Sequence, residues 1–140
     1  MDDTPAEDEL ISAIAKVKSG KAPGQPGILP EMIKAANCNS DFLYLLLDLM
    51  HTVWRESKVP RDWVNAVLVP IPKMGDLHKC DNWRGIALLD VVGKVMARIL
   101  QARLQDLAEE VLPEAQCGFR KGWSCTDMIF TVRQIIEKPW

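Results

Sequence analysis

Apolar residues recur at helical intervals in several parts of the chain, and two short, densely apolar runs lie between them. Leu10, Ile11, Ile14 and Val17 form the first stripe. Thr4 as a cap, Pro5 at the first helical position and Glu7 closing a capping box predict where that helix starts. Lys16 and Lys18 suit its last turn, and Gly20 is placed to end it in a left-handed conformation. Residues 21–30 hold three prolines and two glycines, which predicts a loop. A short helix is expected over 30–36. Asn39 or Ser40 then caps a longer one over 41–57. Its broad apolar face, Phe42, Leu45, Leu46, Leu49, Met50, Val53 and Trp54, is expected in the core. His51 beside that stripe has no second ligand at metal spacing and reads as a structural or surface histidine. Pro60 closes the helical region, and Trp63 anchors the approach to the first apolar run.

That run is Ala66-Val67-Leu68-Val69, and its counterpart is Ile86-Ala87-Leu88-Leu89. Two such runs around a polar, Gly-containing connection predict a β-hairpin with a long tip. Pro70 and Pro72 lack the N–H that a sheet ladder needs, so the first strand lies at an edge or ends there. Lys73 falls where the first strand ends and Arg84 where the second begins, with Lys79 in the loop between. A mobile ammonium on one arm and a rigid two-pronged guanidinium on the other suit the grip of an anion.

Beyond the hairpin the spacing predicts a helix over 91–112. Val92, Val95, Met96, Ile99, Leu100, Leu104, Leu107, Ala108 and Val111 line one side of it. Lys94, Arg98, Gln101 and Gln105 line another, which reads as a solvated face. Pro113 ends this helix. In the loop that follows, Gly118 and Gly122 bracket Phe119, Arg120 and Lys121. Such a loop can lie along a nucleic-acid strand; taken alone, the same residues also describe a turn with surface bases. Ser124 caps a last helix, with Asp127 three residues on. The predicted fold class is α+β, mostly helical with one β-hairpin. It forms one domain in three parts: a helical part over 1–63, the hairpin over 64–89, and a helix, loop and helix over 90–140.

A net charge of −2 gives no global signature of a nucleic-acid binder. The charge is unevenly spread. Residues 2–9 hold five acids and no base, whereas residues 58–103 hold eight bases and four acids. Any anion or nucleic acid is therefore expected at the middle of the chain. No apolar N-terminal run predicts a secretory signal. The longest apolar cluster, at 42–50, is interrupted by Asp48 and is too short to span a bilayer. The cysteines at 38, 80, 117 and 125 lack zinc-site spacing, so reduced thiols in an intracellular protein are expected. There is no Walker loop and no Gly-x-Ser-x-Gly elbow.

Four segments together resemble the reverse transcriptases of non-LTR (LINE-like) retrotransposons. Lys21-Ala22-Pro23-Gly24-Gln25-Pro26-Gly27 is similar to that family's K-A-P-G-x-D-G segment, with Pro26 in place of its Asp. Trp63, Ala66 and the run Pro70-Ile71-Pro72-Lys73-Met74-Gly75-Asp76 resemble its W-x-x-A-x-x-x-P-I-P-K-x-G-D strand. Asn82-Trp83-Arg84-Gly85-Ile86-Ala87-Leu88-Leu89 resembles its N-[YW]-R-x-I-[AS]-L-L strand. Gln116-Cys117-Gly118-Phe119-Arg120-Lys121-Gly122 resembles its Q-x-G-F-R-K-G loop, with Trp123 where the family usually carries Arg. The match covers nearly the whole chain, with the segments in the family's order.

The resemblance implies the fingers subdomain of a right-hand polymerase, with the palm absent. It implies that Lys73 and Arg84 contact the incoming nucleotide triphosphate. Gly118, Phe119, Arg120 and Lys121 would meet the template. RNA template, DNA primer and dNTP would be the partners, and Mg²⁺ the metal of the intact enzyme. Nucleotidyl transfer needs carboxylates that hold two metal ions. Neither Asp2-Asp3 nor Glu109-Glu110 stands between apolar strand residues as those carboxylates do. The expected role is thus binding without catalysis, with no metal held by this chain. Self-association through an exposed palm-facing surface is also expected. Two other readings remain open: a non-catalytic nucleic-acid- or protein-binding module, and a functionless truncated reading frame.

Overall fold

A computed structural model of the chain describes residues 3–113, 116–118, 120 and 122–138. They fall into two compact units, Met1–Gln101 and Ala102–Trp140. The first unit contains helices α1 (Glu7–Ala15), α2 (Pro30–Lys34), α3 (Ser40–Glu56) and α4 (Arg61–Val64). It also contains strands β1 (Val67–Pro72) and β2 (Trp83–Leu88) and the first half of α5 (Val91–Val111). The second unit holds the rest of α5 and α6 (Cys125–Glu137). Among the described residues, helices with one two-stranded antiparallel hairpin make the α+β arrangement that the patterning predicts.

Helix α1 starts later and ends earlier than its sequence signals suggest. Ala6 is the N-cap, and its N–H donates to the Glu9 carboxylate at 2.8 Å, so Glu9 and not Glu7 reaches back. The helix stops at Ala15. Gly20 does adopt a positive φ of 68°, but in the connection beyond the helix. There its N–H donates to Glu31 Oε1 at 2.6 Å, and Lys34 Nζ donates to Ser19 Oγ at 3.1 Å. These two bonds tie the connection to α2. The Gly20 N–H also holds the Glu31 carboxyl below the usual glutamate range.

The following loop keeps its turn despite Pro26. The Gly27 N–H donates to the Gly24 carbonyl at 3.1 Å, and Gly27 carries the positive φ of 76°. Pro26 sits inside the closed turn and replaces nothing the turn requires. Gly24 is held by close approach: a Cβ there would lie 2.7 Å from the Asp90 nitrogen and 2.8 Å from the Leu89 carbonyl carbon. The loop thus rests directly on the backbone that leads into α5.

The core of the first unit is made by Leu10 and Ile14 of α1, Ile33 of α2, Leu43, Leu46, Met50 and Val53 of α3, and Val91, Val92, Val95, Met96 and Ile99 of α5. Asn39 caps α3 by accepting from the Phe42 N–H at 3.0 Å. The buried face of α3 is rotated from the predicted one. Leu43 is buried, whereas Leu45, placed in the core by the sequence reading, is 65% exposed. A row of leucines allows several faces, and only the neighbouring helices select one. Leu45 instead rims an apolar cavity of about 370 Å³ with Ile28, Met32, Phe42, Leu49 and Val92. Of the two roles open to His51, structural or surface, it takes the structural one, with Nε2 2.8 Å from the Pro5 carbonyl. Trp63 packs against the core, and a Cβ at Gly93 would meet its ring at 3.0 Å.

The apolar side predicted for the whole of α5 is buried only as far as Ile99. Leu104, Leu107 and Val111 are exposed, as are Ile129, Val132, Ile135 and Ile136 of α6. No helix among the described residues is long and apolar enough to cross a membrane.

Candidate nucleotide and nucleic-acid contact residues

The hairpin pairs Val67 with Leu88 and runs in register to Pro72 opposite Trp83. The Lys73 N–H then donates to the Asn82 carbonyl at 2.7 Å, which extends the same register by one residue. Side chains alternate between the two faces of a strand pair. Lys73 and Arg84 therefore project from one face, as diagonal neighbours about 7–8 Å apart. Val67, Val69, Ile71, Ile86 and Leu88 continue that face. Leu68, Pro70, Pro72, Trp83, Gly85 and Ala87 make the other, where the Leu68 side chain lies over Gly85, its Cδ1 2.8 Å from where a Cβ would stand.

The tip between the strands is tied by its own polar groups. Asn82 Nδ2 donates to the Asp76 carbonyl at 2.6 Å, and Trp83 Nε1 donates to the Leu77 carbonyl at 2.9 Å. The His78 N–H donates to Asp76 Oδ1 at 3.0 Å. Gly75 takes a φ of 113° that a side chain would resist. Lys73 Nζ donates to the Asp81 carbonyl at 3.0 Å. That acceptor is uncharged, so the ammonium charge is not neutralised there. Among the described residues, the Arg84 guanidinium has no hydrogen-bond or ion-pair partner. Two cations on one face, on a tip fixed by side-chain bonds, can take an anion between them.

The second set of predicted residues lies in the second unit. Phe119 and Lys121 fall outside the described residues. Gly118 is free of steric demand, since a Cβ there would meet only the Gln116 side chain at 3.6 Å. Arg120 is heavily engaged. Its Nε and Nη2 donate to Glu109 Oε2 at 3.0 and 2.8 Å, and its Nη1 donates to the carbonyls of Pro113 and Gln116 at 3.2 and 3.5 Å. The guanidinium also lies 5.0 Å from the centre of the Trp123 ring, a cation–π contact. Its side chain is 10% exposed, against 35% for Glu109. Trp123 thus does more than remove a positive charge: it covers Arg120.

The Arg120 guanidinium holds the Glu109 carboxyl below the usual glutamate range. A lowered folded-state value means that this pair contributes fully above the unfolded glutamate value and is lost as pH falls through the depressed one. Acidification below the glutamate range is expected to release the Arg120 side chain, read as a shift of its Nε–H resonance. In Glu109→Gln that acid transition should be missing; a transition of unchanged size would reassign it to another group.

Asp90 lies outside the motif segments, yet among the described residues of the first unit it is a buried polar residue, at 2% exposure. Its Oδ2 accepts from the Gly93 N–H at 3.0 Å and so caps α5. Asp before an apolar helical run is the pattern that would have identified it. Its Oδ1 has no partner among the described residues. Among those residues no group of three or more His, Cys, Asp and Glu side chains is placed to hold a metal ion.

No protein-family model matches the chain. Over 125 residues it is 30% identical to a probable RNA-directed DNA polymerase from transposon BS of Drosophila melanogaster, which covers 87% of this chain and 14% of that protein. It is 32% identical over 116 residues to a retrovirus-related Pol polyprotein from the type-1 retrotransposable element R2 of Popillia japonica, covering 83% of this chain and 15% of the relative. A transposon TX1 uncharacterized 149 kDa protein of Xenopus laevis is 28% identical over 132 residues, 93% of this chain and 10% of its own length. The chain spans 10% to 15% of the length of these relatives.

Proposed function

Because the chain is, over most of its length, a relative of the RNA-directed DNA polymerases of non-LTR retrotransposons, we propose that it serves such a polymerase as its fingers, binding incoming nucleotide and template. The observation that carries this reading is the placement of Lys73 and Arg84 on one face of the hairpin. Lys73 would neutralise triphosphate charge as a mobile ammonium, and Arg84 would take two phosphate oxygens through its fork. The tied tip holds both strands in register before a ligand arrives, so little further ordering is needed on binding.

The loop over 116–123 would follow the template. Four of the five Arg120 N–H donors are occupied, by Glu109 of α5 and by the Pro113 and Gln116 carbonyls. Arg120 therefore shapes the loop and offers its remaining N–H to a template phosphate. Lys121, Gly118 and Phe119 would supply charge, backbone approach and stacking. Mg²⁺ supplies the charge stabilisation of nucleotidyl transfer when bound. We assign none of its ligands to this chain, whose part is to hold and orient the nucleotide and template.

Titration of the isotope-labelled chain with a nucleoside triphosphate tests the reading. Amide shifts should concentrate at Ile71, Lys73 and residues 82–86. Lys73→Ala/Arg84→Ala should weaken the affinity at least about tenfold, since a hydrogen bond to a charged group contributes ~1.5–3 kcal/mol. It should do so without altering the amide spectrum of the helical core. Equal affinity of the double variant and the parent would remove the assignment.

A further inference from the structure

The two edges of the hairpin differ. The Lys73 N–H to Asn82 carbonyl bond at 2.7 Å, with the register from Val67–Leu88 to Pro72–Trp83, fixes which residues bond across the ladder. Val67, Val69 and Ile71 of β1 bond inward to Leu88, Ile86 and Arg84 of β2. The main-chain groups of Leu68, Pro70 and Pro72 therefore face outward from β1, and those of Trp83, Gly85 and Ala87 face outward from β2. Two of the three outward positions on β1 are prolines and offer no N–H. That edge is closed to another strand. On β2 all three outward positions carry both a donor and an acceptor, and among the described residues no third strand covers them.

We propose that the open edge of β2 pairs with β2 of a second copy of this chain, antiparallel about a two-fold axis. A two-stranded hairpin is marginal by itself, and here every residue of β1 and five of the six residues of β2 are exposed. The second copy fits this edge for three reasons. An antiparallel strand edge is its own complement, donor to acceptor, when turned about a two-fold axis. The pairing also terminates itself, because the outer edges of the resulting four-stranded sheet are the two proline edges of β1. The product is a closed dimer and not a fibre. Finally, side-chain chemistry selects a register. An axis at Arg84 sets two guanidinium groups directly opposite each other, which disfavours it. An axis at Gly85 brings together two residues with nothing to pack. An axis at Ile86 faces Ile86 with its copy, bonds Gly85 to Ala87 of the second chain, and sets Arg84 against an apolar Leu88.

The prolines of β1 supply the test. Ala87→Pro removes an outward N–H while leaving the ladder to β1 intact, as Pro70 and Pro72 do in the partner strand. The full chain should sediment as a dimer, with the Gly85 and Ala87 amides protected from exchange and that of Leu68 unprotected. Ala87→Pro should sediment as a monomer that retains the amide protection of Val69 and Ile71. A dimer that survives Ala87→Pro with its hairpin intact would overturn the proposal by placing self-association on another surface. A parent chain that remains monomeric at millimolar concentration, with fast exchange at Gly85 and Ala87, would overturn it outright. Neither result depends on whether Lys73 and Arg84 bind a nucleotide.

Discussion

Gly24→Ala is expected to destabilise the first unit by about 3 kcal/mol, the upper part of the range for overpacking a filled site. The added methyl would lie 2.7–2.9 Å from the Asp90 nitrogen, the Leu89 carbonyl carbon and the Asp90 Cα. All three belong to the backbone. A flexible side chain would swing aside, but the segment entering α5 is held by the Asp90 cap and by the burial of Val91 and Val92. Either the loop lifts off or the start of α5 shifts. Chemical denaturation of the two chains measures the loss. Gly27→Ala provides the contrast, because its methyl would meet nothing within 4 Å. Its cost would come only from the positive φ of 76°, about 1–2 kcal/mol. If Gly24→Ala proved no more costly than Gly27→Ala, the close docking of the loop on Leu89 and Asp90 would be wrong.

The orientation of α3 makes the second large prediction. Leu46 is 5% exposed and its neighbour Leu45 is 65% exposed. Leu46→Ala should cost about 2–5 kcal/mol, as it removes buried methyl groups and leaves a cavity. Leu45→Ala should cost about 0.5 kcal/mol or less, the range of surface substitutions. The sequence pattern alone treats the two alike. Equal losses at both positions would show that the rim of the apolar cavity beside Leu45 is covered in solution, and that the face predicted from the sequence is packed after all.

The fold and the candidate site were legible to different depths. The hairpin was readable because its signals are local: two β-rich runs, turn residues between them, and prolines that tolerate only an edge. The pairing of Lys73 with Arg84 followed once the register was known, since the period of two then fixes the face. The structure adds that Pro70 and Pro72 point outward, which the sequence hints at but cannot assign without knowing which pairs bond. Arg120 was legible as a charged loop residue and no further. Its partners, Glu109, Pro113, Gln116 and Trp123, stand at up to eleven residues' distance, and nothing in their spacing announces a cluster.

The cap of α3 was open between Asn39 and Ser40 and α4 gave no signal, whereas the order of the longer helices and the hairpin, the helix cap at Ser124 and the resemblance to retrotransposon polymerases could all be read along the chain. Each of these rests on interactions within a few residues or on motifs readable in a line. Packing between distant segments settled which leucines of α3 are core, how far the apolar side of α5 is buried, why Gly24 must be a glycine, and that Arg120 is enclosed. Those outcomes depend on which surfaces meet across long sequence separations. A run such as Leu45-Leu46-Leu47 can satisfy that requirement in more than one way until its neighbours are in place.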